Sequence, residues 1–311
     1  MSSTPDSAPA EPPQNPAVPA ADASLRRSPI PAGNRGPLDA ARLTAAVAAV
    51  GLDLTVIREI DSTNAALARI ARGETSDPAL AGLARQWRAS PAPEDAPRGR
   101  GLALAAERQT AGRGRLDRSW VSRPGAGLTV SLLIQPRIAI SRLGWLPMVV
   151  GMSLVSTVRA IAGVPAVLKW PNDVLVEGGK LAGILVEVVP VPASAPSVVI
   201  GFGLNVNAEP DELPDRSTSL LLAGADPAAL DRTELLERIL VGLVGALAAW
   251  EADPQAVRVA YLAMCATIGR EVRVELPDGS ADTGRATDVD PAGRLVVAGR
   301  AYSAGDVVHL R

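Results

Sequence analysis

Cysteine, histidine, lysine and aromatic residues are all scarce in this 311-residue chain, and each scarcity removes a class of function. A single cysteine, Cys265, excludes an intrachain disulfide framework and any cysteine-built zinc site. A single histidine, His309, excludes multi-histidine metal centres, and any histidine-dependent catalysis would rest on a residue two positions from the end. Neither sign of charge prevails. Lys+Arg is 31 and Asp+Glu is 33, a net charge of −2, so no global basic field for nucleic acid exists. The longest strongly apolar run, Leu143 to Val158, has sixteen residues and contains Pro147. A spanning helix needs about 20, so this run reads as a buried helix. The first residues lack the charged-then-apolar pattern of an export signal. A cytoplasmic protein with no membrane partner is therefore expected.

What is present describes a folded body with a polar tail. Hydrophobic residues make up 47%, enough to fill a sizeable core, and the length allows roughly two domains. Residues 1–36 are rich in proline and alanine and poor in bulky apolar side chains, so a disordered tail is expected there. Helices are predicted over 38–50, 63–72, 142–162, 233–250 and 254–264, and strands over 54–60, 102–107, 128–134, 166–176, 180–189 and 197–205. Residues 89–101 read as a Pro-rich loop, and Glu177-Gly178-Gly179 as a tight hairpin turn. From Gly269 short alternating strands recur around turns at 277–279 and 290–293, the pattern of a small β-barrel. Strands joined by hairpins over 166–205 argue for a mixed or largely antiparallel sheet of α+β type.

The arginine-to-lysine imbalance locates the chemistry. Of 31 basic residues only Lys169 and Lys180 are lysines. They flank one predicted hairpin, as expected where a compact ammonium is needed at a fixed point. Asn64, Asn172, Asn205 and Asn207 fall at strand ends or turns, where a short amide bonds ligand or backbone. Capping explains each singly, but not their grouping beside the lysines. Between Arg98 and Arg123 seven arginines face Glu107 and Asp117, a local charge of 7 − 2 = +5. Glycines 112 and 114 let that backbone move and approach a ligand, and arginine forks suit phosphate and carboxylate oxygens. A mobile anion clamp and a solvated basic loop both fit the segment. Neither G-x-x-x-x-G-K-[ST] nor G-x-G-x-x-G occurs, so any nucleotide is held in another way. Cys265 reads as a packed core residue and His309 as the cap of a terminal strand. Asp173 and Glu187 fit structural ion pairs.

Four ordered segments resemble the biotin protein ligase family: Glu59-Ile-Asp-Ser-Thr-Asn64, Gln109 through Trp120, Lys169-Trp-Pro-Asn-Asp173 with Gly179-Lys-Leu-Ala-Gly-Ile-Leu-Val-Glu187, and Gly201-Phe-Gly-Leu-Asn-Val206. The resemblance covers about residues 40–311. It implies a class II synthetase-like mixed-sheet catalytic domain over 37–266 and a small SH3-like β-barrel over 267–311. It also implies a two-step reaction. ATP and biotin give biotinyl-5′-AMP, and the activated biotin then acylates one lysine of a biotin carboxyl carrier domain. Mg²⁺ would travel mainly on the phosphates, with no dedicated protein metal site. Ser62, Thr63, Asn64, Gln109, Arg113, Gly114, Arg115 and Lys180 match the family's biotin-binding positions. Arg113, Arg115, Trp120, Lys169 and Asn205 match the ATP and adenylate side. Arg115, Lys169 and Lys180 are the expected catalytic group.

Two departures stand out. Asp117 replaces a glycine usual in the family's loop, and the tail cannot supply the helix-turn-helix domain that some members carry, so no DNA partner is expected. A monomer or weak homodimer is expected. The competing readings are a lipoate–protein ligase, which shares fold and chemistry, and a nucleic-acid-binding regulator using the arginine loop and the barrel.

Overall fold

The computed structural model describes residues 35–75, 77–89, 101–116, 118–136, 138–191, 197–276 and 278–310. The expected tail over 1–34, the expected Pro-rich loop over 90–100, residues 192–196 and Asp117 lie outside the described residues. The elements run α1 (Ala40–Ala48), β1 (Leu52–Ile60), α2 (Thr63–Arg72), α3 (Ala81–Ala89), β2 (Gly101–Gln109), β3 (Gly127–Ile134), α4 (Leu146–Ala162), β4 (Val167–Lys169), β5 (Asp173–Val176), β6 (Gly179–Val189), β7 (Ser197–Asn205), α5 (Arg232–Ala252) and α6 (Pro254–Met264). The C-terminal strands are β8 (Glu271–Glu275), β9 (Ala281–Val289), β10 (Leu295–Val297), β11 (Arg300–Tyr302) and β12 (Asp306–His309).

Seven strands form one mixed sheet in the order β1-β2-β3-β7-β6-β5-β4. Only β1 and β2 pair in parallel; the remaining neighbours are antiparallel, as the α+β expectation required. Side-chain alternation along these strands decides where a site can form. On β7, Val198, Ile200, Phe202 and Leu204 enter the main core with residues of α1, α4 and α5. Val199 points the other way, into a smaller core with α2 and α3. Gly201 and Gly203 share the face of Val199. On β3, Leu128, Val130 and Leu132 take the main core, so Thr129 and Ser131 face the same side as those glycines. Where the apolar side of α2 ends, this face becomes a floor of small and polar residues.

Three expectations needed correction. Helix α3 is not among the expected elements; Leu83 and Trp87 are its only bulky apolar side chains, too few to mark a helical period. The predicted helix from 142 begins as a 3-10 turn over Ile140–Trp145 and becomes α-helical at Leu146, with Pro147 in the first turn where its missing N–H costs nothing. The predicted strand 166–176 is two strands, β4 and β5, interrupted by a turn containing the cis Trp170–Pro171 bond. The stretch Ile140–Ala162 is long and apolar enough to cross a membrane by length and composition, with 61% of its apolar window buried within the protein.

The second sheet is antiparallel with order β11-β10-β9-β8-β12, and Val272, Val274, Ala286, Val289 and Leu295 join the main core cluster. Indole donors fasten it to the larger sheet: Trp145 Nε1 donates to the Pro291 carbonyl at 3.0 Å and Trp170 Nε1 to the Gly293 carbonyl at 3.1 Å. Cys265 is buried beside Tyr261, as expected. His309 lies on β12 with Nε2 3.0 Å from Thr267 Oγ1. Burial, then the charges of Lys169 and Arg270, lower its pKa to about 4. The unfolded chain therefore binds more protons than the folded one between about 6.5 and 4. Its stabilising contribution is complete above 6.5 and is lost as pH falls through 4. His309→Asn is expected to remove that part of the acid sensitivity, read as a smaller loss of melting temperature between pH 7 and 4.5 than in the parent.

The N-terminal strap is held by a buried charge pair. Arg232, 3% exposed, donates to Glu107 Oε2 at 2.8 Å and to the carbonyls of Gly127 and Gly36, while Glu107 Oε1 accepts the Leu38 amide. Arg232→Met strands the Glu107 carboxylate without its cation. A loss of roughly 3–5 kcal/mol is expected, measurable by denaturant unfolding.

Candidate active site

Parallel pairing of β1 with β2 sets Ile60 opposite Gln109. Backbone bonds extend that register, from Thr110 N to the Ile60 carbonyl and Ala111 N to the Asp61 carbonyl. The start of α2 is thereby brought against the end of β2. Ser62 caps α2, accepting from Ala65 N, and Arg69 holds the preceding turn through both oxygens of Asp61 at 2.8 and 2.9 Å. That guanidinium holds the Asp61 carboxyl below the usual carboxylate range.

Thr63 N donates to Gln109 Oε1 at 2.8 Å, and Thr63 Oγ1 lies 3.1 Å from the same oxygen. Ser131 Oγ lies 2.7 Å from Thr63 Oγ1 and 2.6 Å from Asn64 Oδ1, so its one proton serves one acceptor at a time. Asn64 Nδ2 donates to Glu187 Oε2 at 2.8 Å and to the Leu185 carbonyl at 3.2 Å. Those two acceptors set the orientation of the amide.

The Gly/Arg segment folds as a short hairpin. Arg113 bridges Ser119, Gly114 N donates to the Arg118 carbonyl at 2.6 Å, and Trp120 N donates to the Gly112 carbonyl at 3.0 Å. A side chain at Gly112 would strike Trp120 backbone, so the crossing demands glycine. The Trp120 ring lies on the floor at Gly183 and Gly203, its Nε1 buried with no partner among the described residues.

Lys180 reaches this floor through a bulge. A regular strand would put Lys180 and Gly183, three apart, on opposite faces. The β5–β6 register shifts between Val174 and Leu175, pairing Leu175 with Lys180 but Val174 with Ala182. The extra residue turns Lys180 over. Its Nζ now lies 3.2 Å from where a Gly183 side chain would begin, and 2.7 Å from Asp173 Oδ1. Arg115 donates to Asn172 Oδ1 at 2.9 Å, and Asn172 in turn is fixed to β6 by its Nδ2 bond to the Ile184 carbonyl. Burial lowers the Arg115 pKa from its ordinary value without threatening its charge.

These residues converge on one cleft. It brings together Ser62, Thr63, Asn64, Gln109, Arg113, Gly114, Arg115, Trp120 and Lys180 from the sequence-predicted set. Lys169 and Asn205 stand outside the lining. Lys169 ends β4 on the His309 side, and Asn205 is buried with Nδ2 donating to the Thr218 carbonyl at 2.9 Å and lying 3.5 Å from that of Lys180. Sequence reasoning gave no role to Ser131, Gly201 or Gly203, and read Asn172 only as one of four turn amides and Glu187 only as an ion-pair partner; all five also shape the site. The last four sit inside the quoted motifs; Ser131 had only its polar place in an apolar strand as a signal. No group of three or more His, Cys, Asp or Glu able to hold a metal occurs among the described residues. An oriented amide and hydroxyls at one end, and two cations on the Gly/Arg hairpin and a bulge at the other, suit a ligand with a polar head and an anionic reacting group.

Profiles described as "Biotin/lipoate A/B protein ligase family" and "Biotin protein ligase C terminal domain" match residues 96–205 and 267–310. The biotin–[acetyl-CoA-carboxylase] ligase of Mycobacterium tuberculosis is 44% identical over 220 residues, covering 68% of this chain and 80% of that protein. The bifunctional ligase/repressor of Bacillus subtilis is 38% identical over 145 residues, 45% of this chain and 44% of its own length. The biotin protein ligase of Aquifex aeolicus, solved with biotin and ATP, superposes with a TM-score of 0.62 at 27% identity, covering 83% of this chain and 98% of that one.

Proposed function

Because the chain belongs to the biotin protein ligase family, we propose that it activates biotin with ATP and transfers it to a lysine of a biotin carboxyl carrier domain. The observation that carries the reading is the convergence of Thr63, Asn64, Gln109, Arg115 and Lys180 on one cleft from three separate chain segments. The catalytic body spans 37–266 and the C-terminal domain 267–311 in this reading.

In the first step a biotin carboxylate oxygen attacks the α-phosphorus of ATP. The new O–P bond forms, the Pα–O bond to the β-phosphate breaks, and pyrophosphate leaves. The carboxylate is ionised at neutral pH, so no general base is required. The barrier is largely mutual repulsion of anions, answered by positioning and fixed positive charge. Lys180 and Arg115 supply that charge. Asn64, Thr63 and Gln109, each already oriented by protein partners, bind the polar head. Asn205 supports Lys180 through its backbone; Lys169, outside the cleft lining, takes its adenylate-side role in this reading from the family motif alone. Mg²⁺ would be carried on the nucleotide's phosphates, since the described residues hold no group of three or more His, Cys, Asp or Glu to cage it. In the second step the carrier amine attacks the acyl carbon, loses a proton, and AMP leaves as the stable anion. A cytoplasmic location goes with this reading, where ATP and the carrier are both at hand.

The test is pyrophosphate release from the full chain with ATP and Mg²⁺, comparing biotin with lipoate, followed by addition of a carrier domain. Biotin-dependent release and carrier labelling are expected; release with lipoate alone would transfer the assignment to the lipoate branch.

A further inference from the structure

Two contacts tie the Gly/Arg hairpin to the C-terminal sheet. Arg118 Nη2 forms an ion pair with Asp306 Oδ2, and Arg115 Nη2 donates to the Gly305 carbonyl at 3.3 Å. Gly305 and Asp306 make the turn into β12. That turn is itself rigidly placed. Gly305 has a φ of 147°, open to glycine, and a side chain there would begin 2.9 Å from the Glu275 carbonyl of β8. Asp306 then pairs with Glu275 in the β12–β8 ladder.

The three hairpin arginines are sorted by their partners. Arg113 lies 3.5 Å from Glu187, and Arg118 is matched to Asp306. Arg115 donates only to neutral oxygens among the described residues, those of Asn172 and Gly305. Its charge is the one left for an anionic ligand. The hairpin around it is short, and a lone two-stranded ribbon is marginal in water. Its outside anchors therefore decide how often it holds this pose.

Resting on the adenylate-forming reading above, we propose that Asp306 is a positioning residue for the reaction: it holds Arg118, and so keeps the hairpin closed with Arg115 turned to the cleft. The C-terminal sheet is in this way a working part of adenylate retention. The loop that binds the intermediate is anchored at its far side by a carboxylate from the end of the chain.

Asp306→Asn tests this in the full chain. The pair is exposed, with Arg118 66% and Asp306 24% accessible, so the effect is modest. Release of biotinyl-AMP into solution from biotin and Mg-ATP, without carrier, is expected to rise about two- to fivefold, the span such a pair supports. Trypsin cleavage after the hairpin arginines of the ligand-free protein should rise by a similar factor. The reversed pair R118D/D306R should recover adenylate retention and also bring cleavage after Arg113 and Arg115, the arginines it keeps in the hairpin, back to the parent level, which a merely structural aspartate would not allow. Unchanged cleavage in Asp306→Asn, or no recovery in the reversed pair, would overturn the latch. The trypsin measurement reads the latch whether or not adenylate forms. Absence of biotinyl-AMP from the parent protein would instead count against the reaction assigned above.

Discussion

Lys180→Ala is expected to lower biotin-dependent pyrophosphate release by about 10²- to 10³-fold, the effect of removing one preorganised charge from a developing anion. The ammonium is held 2.7 Å from Asp173 on a bulge that aims it across the cleft floor. With the side chain gone, Asp173 remains as an unmatched negative group beside the place where carboxylate and phosphate must meet. Repulsion is added where attraction was. Lys180 is 34% exposed, so the fold should be little affected and the melting temperature close to that of the parent. Lys180→Arg separates charge from shape. A planar guanidinium is wider than an ammonium, and the niche beside Gly183 leaves Nζ only 3.2 Å from a side-chain position. Recovery is expected to stay below about one-tenth of parent activity, since the two cations are not interchangeable at a tight site. Near-parent pyrophosphate release by Lys180→Ala would remove this lysine from the chemistry.

Gly201→Ala carries the second large effect. A side chain at Gly201 would begin 2.8 Å from Asn64 Cγ and closer still to Oδ1. The Asn64 amide is already committed to Glu187, Leu185 and Ser131, and it is 4% exposed, so it has nowhere to move without breaking those bonds. Overpacking of this kind costs typically about 1–3 kcal/mol in stability. The larger consequence falls on binding: the displaced amide no longer presents the remaining lone pair of its Oδ1 to the ligand. Biotin affinity, measured by titration calorimetry, should drop by at least about tenfold, the cost of one misplaced hydrogen bond in a closed site. Gly245→Ala is the control. It lies on α5 with nothing within 4 Å of the added methyl, and it should be neutral or stabilise by about 0.5–1 kcal/mol. Biotin binding unaltered in Gly201→Ala would show that Asn64 is not a recognition group.

Much of the fold was legible because periodicity is a local property. The two-residue alternation of β3 and β7 and the hairpin turn at 177–179 were readable strand by strand. The cleft residues were legible for a different reason. Scarce residue types gathered in four short segments, and lysines 169 and 180 stood out against an arginine background. The paired motifs did not say which of those residues face inward. Lys169 and Lys180 read alike in the sequence, yet one lines the cleft and the other ends β4 beyond it. Glu187 reads as an ordinary ion-pair partner until its carboxylate is seen holding Asn64 on one oxygen and facing Arg113 with the other.

The sequence by itself determined the class of fold, the family and the chemical character of the site. Those depend on composition, on residue order and on patterns no longer than a strand. Tertiary structure alone decided the orientation of Lys180, since one extra residue in β6 reverses every face that alternation predicts beyond it. It also decided which of three similar arginines is left for the ligand. That choice was made by Glu187 and by Asp306, a carboxylate 188 positions from Arg118, and only the folded chain brings such partners within reach.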